Sequence, residues 1–148
     1  MSNSSYAMIM LSAGIGIPIL AALNAQLGRI ISAPAVASVA LFAIACLTAC
    51  IVAALNAPQG LDKLASAPKH LFLAGILIAF YVLSITYIAP HLGIGDAVFF
   101  VLLGQLISAA AIDHFGLFGA TQTPLSPTRV TGIALMAMGV FVTQIAAR

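Results

Sequence analysis

The chain has 148 residues, 63% of them apolar and only 5% charged, with a formal net charge of +2 and a mean hydropathy of +1.20. A soluble domain carries about 25% charged residues, so this exterior is not built for water and the chain is an integral membrane protein. The few basic residues form no patch or stripe of the kind nucleic acid needs. The length leaves room for four or five spans in one membrane domain, 1–148, and for no separate soluble catalytic unit.

The N-terminus has no basic n-region and no cleavage site of signal-peptide type, so it reads as the start of the first span, predicted over residues 6–27. Gly14, Gly16 and Pro18 fall in its middle. Pro18 donates no backbone hydrogen bond and its ring crowds the carbonyl of Gly14, which predicts a kink at membrane depth. That kink is either structural or a hinge, or a broken-helix element at a substrate site. Asn24 and Gln26 follow, just before Arg29. An amide both donates and accepts, so Asn24 either crosslinks helices or lines a cavity, and the second is the preferred reading.

The second span is predicted over 35–55. It holds Cys46 and Cys50, four residues apart, with no other soft ligand near them in sequence. They read as small buried hydrophobes rather than as a metal pair. A polar loop with Asp62, Lys63 and Lys69 leads to the third span, 71–89. There Tyr87 reads as an interfacial anchor. Tyr81 lies deeper and either packs beside Phe80, lines a cavity, or hydrogen-bonds across to Asn24 or Gln105.

The fourth span, 97–112, opens at Asp96, which reads as an N-cap. Gly104, Ser108 and Ala111 form a small-residue face of the kind that lets helices approach closely in lipid. Gln105, beside that face, is the clearest internal polar group and bridges helices or contacts a solute. Asp113 and His114 follow at the end of the span. Asp113 is either ionised at headgroup level, bonded to backbone, paired with Arg129, or a proton or ion carrier in a protein-lined cavity. His91 and His114 titrate near neutral pH in principle, but both lie near interfaces. The fifth span, 129–147, carries a second small-residue face at Thr128, Gly132 and Gly139, with Leu135 and Met136 between the glycines. Long apolar runs without period-2 alternation exclude a barrel. The fourth span is the shortest and most polar, so four spans and a re-entrant segment is the alternative count.

An odd number of spans puts the termini on opposite sides. Lys63, Lys69 and Arg129 then share a side with the N-terminus, against Arg29 and Arg148 on the other. So even a division directs insertion weakly. It raises insertion in both orientations, or pairing with an oppositely inserted copy, as in transporters built from inverted repeats. No phosphate loop, metalloprotease motif, nucleophile elbow or cysteine–histidine cluster appears, so neither a catalytic residue nor a metal or other cofactor is expected. Asp113 and His114 diverge by about 100° on a helix and are poorly placed to cooperate.

The stretches GIGIPILAALNAQLGRIISAPAVAS and GQLISAAAIDHFGLFGATQTPLSPTRVTGIALMAMGV resemble the short, five-helix branch of the drug/metabolite transporter superfamily. The motif residues are Pro18, Asn24 and Arg29, then Gly104, Gln105, Asp113, His114, Phe115, Gly116, Pro124, Arg129 and Gly132. The resemblance covers nearly the whole chain. It implies an all-α polytopic bundle of the bacterial inner membrane that forms one half of an inverted-repeat architecture. It also implies alternating access around a cavity between two copies. One departure matters: the small multidrug-resistance relatives use a membrane-embedded glutamate in their first helix, and this chain has no glutamate at all. Proton-coupled export of lipophilic cations by that route is therefore unsupported.

Three functions compete. The leading one is a small-solute or metabolite transporter, hinged at Gly14 and Pro18, with Asn24, Gln105 and Tyr81 along the pathway. Asp113 is its one candidate for coupling, and Arg29, Gly104, His114 and Arg129 are structural motif positions. The second is a noncatalytic scaffold or partner subunit, and the third a lipid-moving protein. The expected partners are membrane lipid, a small-molecule substrate, and a second copy, antiparallel or not, or a homologous oppositely inserted chain. Cysteine placed at each terminus and labelled in native membranes tests the charge count. Labelling of one terminus from both sides is expected for dual insertion; labelling from one side only removes it for the homodimer.

Overall fold

The structure is a computed structural model that describes residues 3–57 and 59–146, without the side chains of residues 61, 62, 144 and 146. The side chain of Asp62, all of Arg148 and the last position of the predicted fifth span lie outside the described residues. The fold is all-α. Its elements are α1 (Asn3–Ile30), α2 (Pro34–Asn56), the short α3 (Gly60–Leu64), a 3-10 turn (Lys69–Phe72), α4 (Leu73–Leu92), α5 (Ile94–Phe115), a second 3-10 turn (Leu117–Gly119) and α6 (Pro127–Ala146). Among the described residues, four helical segments are long and apolar enough to cross a membrane: α1, α2, residues 69–92 and α5. α6 has 20 residues, a rise of about 30 Å that just matches the hydrocarbon thickness. The segment with the least margin is thus the last one, not the fourth.

Helix ends are decided by turn chemistry rather than by hydropathy, so the helices overrun the predicted spans. α1 continues to Ile30 and closes with Ala33 N–H bonded to Gly28 O and Ser32 at φ +52°. That is a Schellman closure with serine in the left-handed position where glycine is usual. Pro34 then starts α2 at its first position, where the missing N–H costs nothing. α4 ends at Gly93, φ +93°, whose N–H bonds Ala89 O. α5 starts at Ile94, so Asp96 lies in its first turn and is not the predicted N-cap. There it still complements the positive end of the helix. With 22 residues, α5 has spanning length, and the re-entrant alternative falls away. α1 passes Pro18 without interruption, so the broken-helix form of the prediction is not adopted.

The chain divides into two compact units, Met1–Ile94 and Gly95–Arg148. In the first, α1, α2 and α4 pack pairwise. Their shared seam is made of Ala21, Ala25, Ala37 and Ala89 with Val82 and Ile85. Lipid supplies no hydrophobic drive between helices, so close approach of small residues must supply the contact. The closest approach is at Gly28, where a Cβ would stand 3.1 Å from Pro34 Cα and 3.5 Å from Thr86 Cγ2. The seam lies in the last third of α1, the first turns of α2 and the second half of α4. α1 and α4 therefore run in the same direction and α2 against them, converging at one end. No described residue of α1 before Ala21 is buried, and Met8, Met10 and Leu11 are more than two-thirds exposed.

In the second unit, α5 and α6 are joined by residues 116–126, and Gly116, Phe118 and Gly119 take left-handed conformations. The small-residue faces predicted as seams are not filled by the described residues of this unit. Gly104 and Ser108 are exposed, and nothing lies within 4 Å of a Cβ placed at Gly104, Gly132 or Gly139. Between the two helices lies an apolar cleft of about 650 Å³, lined by Leu103, Ile107 and Ala110 of α5 and Ile133, Ala134 and Ala137 of α6. Cys46 and Cys50 of α2 are exposed, contrary to the prediction that they are buried. Their helix buries only Ala37 and Ser38, more than a turn before either cysteine.

The contact at Gly28 predicts a sharp contrast. Gly28→Val should lower the thermal unfolding midpoint of the protein in detergent, at an overpacking cost of about 1–3 kcal/mol. Gly16→Ala, which meets nothing within 4 Å, should leave the midpoint unchanged or raise it. Equal midpoints for the two variants would remove Gly28 from the packing seam.

Candidate functional site

Asn24 is 4% exposed and stands where α1, α2 and α4 converge. Its amide Nδ2 donates to Thr86 Oγ1 of α4 at 2.6 Å and, more weakly, to Ser38 Oγ of α2 at 3.4 Å. Both hydroxyls are oriented by their own helices. Thr86 Oγ1 donates to Val82 O at 2.7 Å, and Ser38 Oγ lies 3.2 Å from Pro34 O. With those protons committed, the hydroxyl oxygens present lone pairs to the amide. Ser38 and Thr86 are 1% exposed each, so the three side chains form a polar knot inside an alanine seam. The Asn24 carbonyl oxygen has no protein donor among the described residues. The residue also lines a largely apolar cavity of about 390 Å³ between α1 and α2, with Leu20, Leu27, Ala40 and Ile44.

The knot contains two residues that sequence reasoning missed. Thr86 falls on the face Val82, Ile85, Thr86, Ala89, the i, i+3, i+4, i+7 spacing of a buried helix stripe, and that periodicity was its available signal. Ser38 has only its place one turn after Pro34. Tyr81 does not join the knot. Its hydroxyl is buried without a hydrogen-bond partner among the described residues, so the bond to Asn24, one of its alternatives, does not form. Gln105 is exposed on α5, and its side chain makes no hydrogen bond among the described residues of its own unit. Gly14 is exposed and Pro18 half-buried in the uncovered part of α1. Tyr87 is 63% exposed beside His91, with ring centroids 5.3 Å apart, in keeping with an anchor near a helix end.

Of the roles open to Asp113, the structure has the ion pair. Its Oδ2 meets Arg129 Nη2, and the two side chains are about one-third exposed. The same end of α5 holds down the following loop. Thr123 N–H donates to Asp113 O at 2.8 Å, Leu125 N–H to His114 Nδ1 at 3.1 Å, and Gln122 Nε2 to His114 O at 3.2 Å. Ser126 Oγ accepts from Arg129 N–H and caps α6. Asp113, His114 and Arg129 thus fix the α5–α6 connection. Among the described residues no group of three His, Cys, Asp or Glu stands close enough to hold a metal ion.

Four or five apolar helices long enough to cross a membrane, three of them cross-linked by amide and hydroxyl groups, define a polytopic helical membrane protein, and its family supports an inner-membrane transport role. Residues 5–142 match the family described as "Putative inner membrane exporter, YdcZ", and the chain belongs to that family. No curated protein and no solved structure matches the chain.

If the knot holds the helices, Asn24 and Thr86 must be energetically coupled. A double-mutant cycle of Asn24→Ala and Thr86→Val, read by unfolding in mixed micelles, should give a coupling of about 0.5–1.5 kcal/mol, the range for hydrogen bonds between membrane helices. Strict additivity would mean that the 2.6 Å contact contributes nothing.

Proposed function

We propose that the chain is a secondary transporter that moves a small solute or metabolite by alternating access within a dimer. The observation that carries this reading is the Asn24 amide. It is buried at the junction of three helices, its donors are engaged, and its acceptor is left over beside a cavity. A scaffold would need no spare hydrogen-bonding capacity facing a cavity. The unpartnered Tyr81 hydroxyl supports the same reading. Gln105, exposed beside the unfilled Gly104–Ser108 face, enters the pathway from the side of a second copy.

The partner is a second copy, inserted antiparallel, or a homologous chain of opposite orientation, so that each protomer is one half of an inverted repeat. The even division of basic residues supports this. Gly14 and Pro18 form the hinge of α1, since proline leaves the Gly14 carbonyl without its helical donor in a stretch that no neighbour covers. His114 and Arg129 keep the α5–α6 connection in place, while Arg29 and Gly104, the other structural motif positions, find no such contact among the described residues. Asp113 is the acidic group on which proton or ion coupling would fall, and its release from Arg129 would be the coupled step.

Reconstitution in liposomes tests the reading. Flux of a panel of small metabolites should include at least one solute whose uptake is saturable, and that uptake should fall at least about tenfold in Asn24→Ala or Gln105→Ala, the loss of a hydrogen bond to a buried group. Unchanged flux in both variants would sink the site assignment. No flux for any solute, together with a stable complex with another membrane protein, would favour the scaffold.

A further inference from the structure

At the converging end of the first unit, beyond the knot, lies a second cavity of about 320 Å³. Arg29, Ser32, Pro34, Thr86, Tyr87 and His91 contribute to its wall, and no acidic residue does. The Arg29 guanidinium makes no ion pair or hydrogen bond with the described residues. By contrast Arg129, in the second unit, is neutralised by Asp113. Three of the last carbonyls of α1 already accept a backbone hydrogen bond. Leu27 O, Gly28 O and Arg29 O accept from Ile31, Ala33 and Ser32 N–H. The end of α4 is quenched in the same way: Ala89 O accepts from Gly93 N–H, and His91 Nδ1 lies 2.9 Å from Tyr87 O. Because a carbonyl only accepts, that ring nitrogen is the donor, and Nε2 is left free.

We propose that this cavity binds an oxyanion, a phosphate or carboxylate group, with Arg29 as the charge that pairs with it and Ser32 Oγ as its hydrogen-bonding companion. A guanidinium without a counter-ion in a recess free of carboxylates is a fork suited to two oxygens of one anion. The start of α2 adds to the same field. Its N-cap is Ala33, which supplies no side-chain acceptor, so the positive end of the helix is not quenched from within the chain. The volume sets the size of the ligand. About 320 Å³ is the lower limit for small-molecule sites, enough for the anionic group with a short substituent. The chemistry is shared by two sources, the headgroup of an anionic phospholipid and a free phosphate or carboxylate solute. The site stands independently of the transport reading, since it requires binding and not movement.

The full chain in nanodiscs provides the test, with the thermal unfolding midpoint as readout at constant pH and ionic strength. One arm titrates inorganic phosphate against chloride in discs of neutral phosphatidylcholine. The other replaces a fifth of that lipid, roughly, with phosphatidylglycerol. The midpoint should rise in at least one arm. Arg29→Gln should weaken the response at least about tenfold, as expected for loss of a charged hydrogen-bond partner. Ser32→Gly should weaken it without harming the fold, because glycine accepts the φ of +52° at this position more readily than serine. Lys69→Gln, at the other end of the unit, should respond as the unaltered chain does. A rise with phosphate in neutral discs identifies a soluble anion; a rise confined to phosphatidylglycerol identifies the headgroup. No rise in either arm overturns the site, as does a response that Arg29→Gln and Ser32→Gly leave intact. If Arg29→Gln fails to fold, Ser32→Gly decides.

Discussion

The hydrogen bond from Asn24 to Thr86 is the contact on which the first unit depends. Membrane helices gain nothing by hiding apolar surface from lipid, so the alanine seam of α1, α2 and α4 holds through van der Waals contact and a few polar links. An amide placed at that seam has no competitive alternative in hydrocarbon and selects one register of the three helices. Gly28 makes the register possible. With a larger residue one turn beyond Asn24, its Cβ would stand 3.1 Å from Pro34 Cα, and α1 and α2 would have to give way there. The turn at Ser32 and Ala33 follows from the same closeness, since α2 must start against the helix it has just left.

How much of this was legible in the sequence varies with the physics of each element. Hydropathy locates the five apolar segments because every residue facing lipid must be apolar. It does not locate helix ends: α1 runs to Ile30 and α5 begins at Ile94 because a Schellman turn, Pro34 and Gly93 stop and start helices. The Asp113–Arg129 pair was within reach because few charges exist to be paired. The family could be recognised from the Pro18–Arg29 and Gly104–Gly132 blocks. The knot was only one-third visible. Asn24 stands out as an amide in an apolar run, whereas a serine or threonine is common in membrane helices and bonds its own i−4 carbonyl whether or not it is also cross-linking.

Small residues misled for a related reason. Gly104, Ser108 and Gly132 have the spacing of a packing face, but spacing does not say whether the facing helix belongs to the same chain. In the first unit the comparable role falls to alanines and one glycine, which carry no distinctive motif. The two units therefore differ in kind. The first has an internal seam with a polar centre, and the second presents small residues and Gln105 outward, joined by a loop that Asp113, His114 and Arg129 tie down. Cys46 and Cys50 follow the same logic in reverse: their small, apolar character suits burial, yet α2 is covered only near its start.

The poverty of carboxylates bears on mechanism through the strength of the bonds that remain. A membrane-embedded glutamate switches by gaining or losing a proton, and this chain has no glutamate. Its internal polar groups are an amide and hydroxyls, joined by one short contact and one at 3.4 Å. Links of this kind are worth on the order of 1 kcal/mol each between membrane helices, so a bound solute that satisfies the free Asn24 oxygen differently in two arrangements supplies a bias of comparable size. A protein whose helices were locked by buried ion pairs would need several times more. In the transport reading, the same scarcity of charge that sends the chain into the bilayer keeps its polar centre weak enough for a solute to rearrange.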